Sequence, residues 1–140
     1  MKSIKILAAL LFVLILGCKD KDAVCSNKDI SGKWEVKEMM SLESVLYAKK
    51  NDYNPVIEFK TDGTYIIQLD VNTCSGSYIA DNENRIELTS AGCTKICCDS
   101  DFSTKFVQML PEISSCFFDK GALKLRISGW GWYELKFVSD

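Results

Sequence analysis

Ile57-Glu58-Phe59-Lys60-Thr61-Asp62-Gly63-Thr64-Tyr65-Ile66-Ile67-Gln68-Leu69-Asp70-Val71 is the stretch that decides the fold. Ile57 and Phe59 alternate with Glu58 and Lys60, Thr61-Asp62-Gly63 makes a turn, and Tyr65, Ile67, Leu69 and Val71 resume on one face. Successive side chains of a strand point to opposite sides, so a period of two marks a strand with one buried face.

The same period extends outward in both directions. Upstream, Trp34 and Val36 alternate with Lys33, Glu35 and Lys37. Downstream, Ile86 and Leu88 alternate with Arg85 and Glu87, Leu123, Leu125 and Ile127 with Lys124 and Arg126, and Tyr133, Leu135 and Phe137 with Glu134 and Lys136. Short strands between turn signals form antiparallel sheets that face water on one side. The pattern predicts a mainly β fold, an antiparallel curled sheet or small barrel of about eight strands. Two stretches break the period. Residues 40–49, with Met40, Leu42, Val45, Leu46 and Lys49, read as a short helix or an irregular crossover. Phe102, Phe106, Met109 and Leu110 recur at helical spacing after the capping candidates Asp99 and Ser100, and Pro111 forbids continuation. One helix near residues 100–110 is therefore expected to pack Phe102, Phe106 and Leu110 onto the sheet.

The N-terminus carries an export signal. Lys2 and Lys5 supply its positive charge, and Ile6 to Leu16 run for eleven uncharged residues, too few to span a bilayer. The run ends Leu14-Ile15-Leu16-Gly17-Cys18, which resembles the lipobox of bacterial lipoproteins, with Leu16 bulkier than the usual residue there. Residues 1–17 are thus expected to be a signal peptide, with Cys18 the lipidated first residue of the mature chain. Several acyl chains on one cysteine hold a protein on a membrane where a single chain would not. Residues 18–29 read as the lipidated cysteine and a flexible tether pinned at Cys25, and 30–140 as one domain of ordinary size. Lys19-Asp20-Lys21-Asp22 is read equally well as simple linker solvation or as the charged patch seen in surface-exported lipoproteins of Bacteroidota. Without residues 1–17 the chain has 15 basic against 19 acidic side chains, a net charge of −4. That charge argues against nucleic acid, which needs a basic footprint.

Six cysteines follow Cys18: Cys25, Cys74, Cys93, Cys97, Cys98 and Cys116. An even number in an exported chain reads as a disulfide framework. The rival is a metal site at Cys93, Cys97 and Cys98, but no two-residue-spaced pair exists and the chain has no histidine to complete a mixed site. Counting back from a turn at Asp81-Asn82-Glu83-Asn84 sets Cys74 opposite about residue 91, so Cys74–Cys93 is the first expected pair. Cys98–Cys116 and Cys25–Cys97 follow as the remaining pairs, with exchange between adjacent Cys97 and Cys98 left open.

Several short motifs, in order, are similar to those of the META domain, the fold of the HslJ-type heat-shock lipoproteins. They are Gly32-Lys33-Trp34, the strand and turn Ile57 to Gly63, Asn72 followed by Gly76-Ser77-Tyr78, Thr94-Lys95-Ile96-Cys97-Cys98, a helix with Phe106 and Leu110, and a closing Leu135-Lys136-Phe137. Together they cover about residues 30–138. The family usually places Cys-Asn where this chain has Val71-Asn72, so its cysteine pairing does not carry over unchanged. What the resemblance implies is a cell-envelope protein associated with stress and drug tolerance. It implies no reaction.

The residues name no reaction either. With no histidine, the common serine and cysteine nucleophiles lack their usual base. Asp99 with Asp101, or Glu83 with Glu87, would offer a glycosidase carboxylate pair. However, Asp99 and Asp101 sit where acidic side chains stabilise a helix start, and Glu87 falls on the solvent face. Cys97-Cys98 would suit redox exchange or metal carriage near a helix N-terminus, although redox catalysts normally use a Cys-x-x-Cys spacing. Trp130-Gly131-Trp132-Tyr133, with Trp34, offers aromatic lining for a ligand mouth, and alternation puts Trp132 on the outer face. Trp130 and Trp132 are therefore the candidate binding surface. The leading expectation is a non-enzymatic envelope lipoprotein with no cofactor, anchored by lipid and binding an envelope protein partner. The alternative is a small-ligand or metal-binding barrel of the lipocalin kind. A filled core with an outward tryptophan patch favours the first, and an interior cavity the second.

Overall fold

The structure, a computed structural model, describes residues 25–40, 47–129 and 131–138. Among the described residues nine strands run β1 (Gly32–Met40), β2 (Val56–Phe59), β3 (Thr64–Gln68), β4 (Thr73–Ala80), β5 (Ile86–Leu88), β6 (Gly92–Cys93), β7 (Ile113–Asp119), β8 (Ala122–Ile127) and β9 (Trp132–Phe137). All pair antiparallel, in the spatial order β5-β4-β3-β2-β1-β9-β8-β7, with β6 on β4. The two ends of that path nearly meet. Arg85 bridges Ser115, and the Cys116 N–H donates to Asn84 O at 2.9 Å, so the curled sheet is almost a closed barrel. Near-closure removes most of the unpaired strand edge that an open sheet would leave.

Alternation fills the interior. Ile57, Phe59, Tyr65, Ile67, Tyr78, Ile86, Leu123, Leu125, Tyr133 and Leu135 are all buried. Two positions depart from the alternation. β1 bulges between Val36 and Glu38 against β9, so Met39 rather than Glu38 points inward. Phe137, placed on the core face by sequence, is 49% exposed at the strand end and instead stacks edge-on against Trp34 at 5.1 Å. Trp34 itself is core, its indole N–H donating to Ile30 O at 2.7 Å, so it lines no ligand mouth.

The two barrel ends are covered differently. At the end where β1 begins sits α1 (Asn27–Ile30), capped by Ser26 and Asp29 in a reciprocal capping box. Cys25 and Ile30 are both fully buried. Packing therefore already includes Cys25, and residues 25–29 are not free tether. Their polar composition hides one inward anchor, Cys25, just ahead of buried Ile30. At the end where β1 finishes lies α2 (Asp101–Gln108), N-capped by Ser100. Its Phe102 and Phe106 are buried, as is Leu110 in the 3-10 turn Leu110–Glu112 that accommodates Pro111. Residues 18–24, 41–46 and Trp130 lie outside the described residues, which leaves lipidation at Cys18, most of the 40–49 segment and the outward placement of Trp130 as sequence expectations. No helix among the described residues is long and apolar enough to cross a membrane.

Candidate functional site

The outer face of β7, β8 and β9 carries the most distinctive side chains on the surface. Strand pairing sets Phe117 opposite Lys124, Lys124 opposite Glu134, and Arg126 opposite Trp132. Diagonal neighbours then stack. The Arg126 guanidinium lies over the Phe117 ring at 4.5 Å and Lys124 Nζ over Trp132 at 5.0 Å, arrangements in which a cation meets the negative face of a ring. Lys124 also pairs with Glu134, while Arg126 has no carboxylate partner among the described residues. With Asp119 and the small residues Gly129 and Gly131, these side chains line an open cleft of about 550 Å³.

Trp132 borders a second cleft as well, of about 300 Å³, together with Lys37, Met40, Tyr47, Lys49 and Phe102. Here again cations sit over rings, Lys49 on Phe102 at 4.6 Å and Lys105 on Tyr47 at 5.7 Å. Met40 is 42% exposed at the rim. Half-buried Trp132 is thus a ridge between two aromatic, cationic depressions. A β-strand alternation was enough to find it. Phe117 and Arg126 were missed as partners because their meeting depends on the β7–β8 register, which no local pattern encodes.

The proposed carboxylate pairs do other work. Asp99 accepts hydrogen bonds from Val71 N (2.8 Å), Asn72 N (3.1 Å) and Asn72 Nδ2 (2.6 Å). Asp101 opens α2, Glu83 pairs with Arg85 at 3.1 Å, and Glu87 is exposed on β5. Among the described residues no three His, Cys, Asp or Glu side chains gather as a metal site.

The cysteines are distributed over three places. Cys74 and Cys93 face each other across the β4–β6 ladder and are joined, with Cα atoms 4.0 Å apart. Cys97 and its neighbour Cys98 lie together on an exposed loop, and neither Cys25 nor Cys116, both buried, is bonded to either of them. The expected Cys98–Cys116 and Cys25–Cys97 pairings are therefore corrected. Asn72, Asp99 and the Cys74–Cys93 bond hold the 94–99 loop against the β3–β4 corner, near the α2 end of the barrel. Cys116 instead faces the core from within β7, beside the N-terminal segment. Its thiol is held well above the ordinary thiol range by its hydrogen bond with Cys25 and by burial. Burial likewise pushes the Tyr78 phenol up to about 12 while its hydroxyl donates to Lys60 O at 2.7 Å.

A family model described as META domain matches residues 28–135. Two solved structures share the fold. One is an NMR structure of a protein from Burkholderia xenovorans, with a TM-score of 0.66, 11% identity, and coverage of 87% of this chain and 97% of that one. The other is a crystal structure of a DUF4847 family protein from Bacteroides vulgatus ATCC 8482, with a TM-score of 0.58, 18% identity, and coverage of 81% and 98%. At those identities the likeness is one of fold. No curated protein sequence matches the chain.

Proposed function

The chain belongs to the META domain family, and from that premise we propose that it is a lipid-anchored, non-enzymatic accessory module of the cell envelope that binds a partner on the outer face of β7–β9. The observation that carries the reading is the division between a filled interior and a patterned exterior. Tyr65, Tyr133, Phe59 and Phe106 are fully buried inside the barrel, so the protein's own side chains take up space that a lipocalin-like ligand would need. On the outside, Trp132 stands between two clefts whose rings are covered by lysine and arginine. Aromatic and arginine side chains are the residue types that carry binding energy at protein interfaces. The lipobox-like Leu16-Gly17-Cys18 junction supplies the anchor, and the absence of histidine from the sequence fits a role without general-base chemistry.

Photo-crosslinking decides between the classes. A crosslinking amino acid at Phe117, on the face, should trap a discrete envelope protein in living cells, and one at exposed Asp52 should not. Trp132→Ala should reduce the Phe117 adduct several-fold. Equal trapping from both positions, or none from either, would count against a partner on this face. Saturable uptake of a small apolar ligand would revive the alternative barrel.

A further inference from the structure

We propose that Cys25 and Cys116 form a third disulfide, a covalent clasp that makes the N-terminal segment part of the barrel wall. Both side chains are sealed from solvent, at 0% and 1% exposure, within one apolar cluster. Their backbones converge on one residue. The Cys25 N–H donates to Asn84 Oδ1 at 3.0 Å and the Cys116 N–H to Asn84 O at 2.9 Å. Asn84 adopts the left-handed conformation, φ 61°, in the β4–β5 turn, which asparagine tolerates better than most residues. That turn therefore presents its side chain to one cysteine and its carbonyl to the other at the barrel seam.

The segment is located independently of its thiol. The Ala80 N–H donates to Asn27 Oδ1 at 2.7 Å, Ile30 O accepts from Trp34, and the Ser26–Asp29 box fixes the turn between. A hydrogen bond joins the two thiols, so the sulfurs face each other within the shared cluster. A buried cysteine beside an apolar residue would be ordinary packing. Two cysteines in contact, in a chain that already carries a cross-strand disulfide at Cys74–Cys93, are placed for oxidation.

The chemistry is thiol–disulfide exchange with an oxidised dithiol oxidoreductase or a low-molecular-weight disulfide. The Cys25 thiolate attacks the oxidant's S–S bond and releases one of its sulfurs as a thiol. Cys116 then displaces the second sulfur from the mixed disulfide. One S–S bond forms in the protein and one breaks in the oxidant, and the two protons and two electrons leave on the oxidant's thiols. Because both sulfurs are sealed in the folded barrel, this exchange takes place while segment 25–30 is still open. Thereafter the bond is shielded from reductant. It closes a loop of about 90 residues, for which the chain-entropy gain is large. If Cys18 carries lipid, Cys25 is seven residues beyond it, and the clasp keeps the barrel within about 25 Å of extended chain from the membrane. That consequence rests on the lipid reading, but the bond does not.

Thiol mapping of the full-length protein isolated from its envelope in detergent tests the proposal. The protein is denatured with an alkylating reagent present and without reductant, then digested. Cys25 and Cys116 should be unlabelled and recovered as one cross-linked peptide pair, and Cys116→Ser should render Cys25 alkylatable. Cys74–Cys93 in the same digest reports that the chain met an oxidant. With that bond intact, full alkylation of both Cys25 and Cys116, or linkage of Cys25 to Cys97 or Cys98, would overturn the clasp. The Cys25→Ser, Cys116→Ser double variant should melt lower than the wild type by on the order of 10 °C. A double variant that melts with the oxidised wild type would equally overturn the proposal.

Discussion

Asn72 uses every hydrogen-bonding position of its side chain. Its Oδ1 accepts from Thr94 Oγ1 at 2.7 Å and Ile96 N at 2.8 Å, and its Nδ2 donates to Ile96 O at 2.7 Å and Asp99 Oδ2 at 2.6 Å. One buried amide thereby ties the β3–β4 corner to the loop that leads into α2, beside the Cys74–Cys93 bond. Asn72→Ala strands the Ile96 N–H and C=O as well as a carboxylate oxygen of Asp99. Asn72 itself is buried, but Ile96 sits on an exposed loop where water replaces part of the lost bonding, so the variant should lose about 1–3 kcal/mol. Urea unfolding measures it, and a loss below about half a kcal/mol would show that the clasp relaxes freely. Gly76 is a second residue-scale device. It faces Tyr65 across the β3–β4 ladder, where any Cβ would run into the tyrosine ring. Removing that Cβ lets Tyr65 cross the strand and donate to Thr89 O at 2.7 Å. The Gly-x-Tyr motif was legible as a motif, but its reason, a ring passing over a glycine, lies in the register.

At the scale of elements, alternation carried the reading as far as local sequence can. The turn at Asp62-Gly63 and the strands either side of it were readable because each inward residue is apolar and each turn residue is of turn type. β1 was read only to Val36, since a bulge adds a residue without altering composition. The β4–β5–β6 register was close but two residues out at Cys74: the β4–β5 pairing is offset by one, and the ladder slips by one more between β5 and β6 across residues 89–91. The helix was legible from its spacing, its Ser100 cap and Pro111. Leu110, fully buried in the 3-10 turn after it, joins that end of the barrel to the core. Leu110→Ala should cost roughly 2–5 kcal/mol, the range for a buried leucine whose site only partly collapses. Chemical denaturation checks it, and a change under half a kcal/mol would mean that this end does not pack as described.

At the scale of the molecule, a barrel filled by its own rings presents chemistry only on its outside. The near-closed sheet, the plug at Cys25–Ile30 and α2 at the opposite end leave the β7–β9 face as the patterned surface. Sequence identified Trp132 on that face, but not Phe117 or Arg126, and it misassigned the cysteines beyond Cys74–Cys93. Both shortfalls have one cause. They depend on where distant strands and the N-terminal segment meet, which alternation within a strand does not specify.

The proposed envelope role requires this barrel to work while tethered to a membrane. Metabolic labelling with an alkyne fatty acid tests that most directly. The wild type should take up label that survives denaturation, and Cys18→Ser should take up none. Equal labelling of the two proteins would contradict the anchor and with it the envelope role proposed for the outer face.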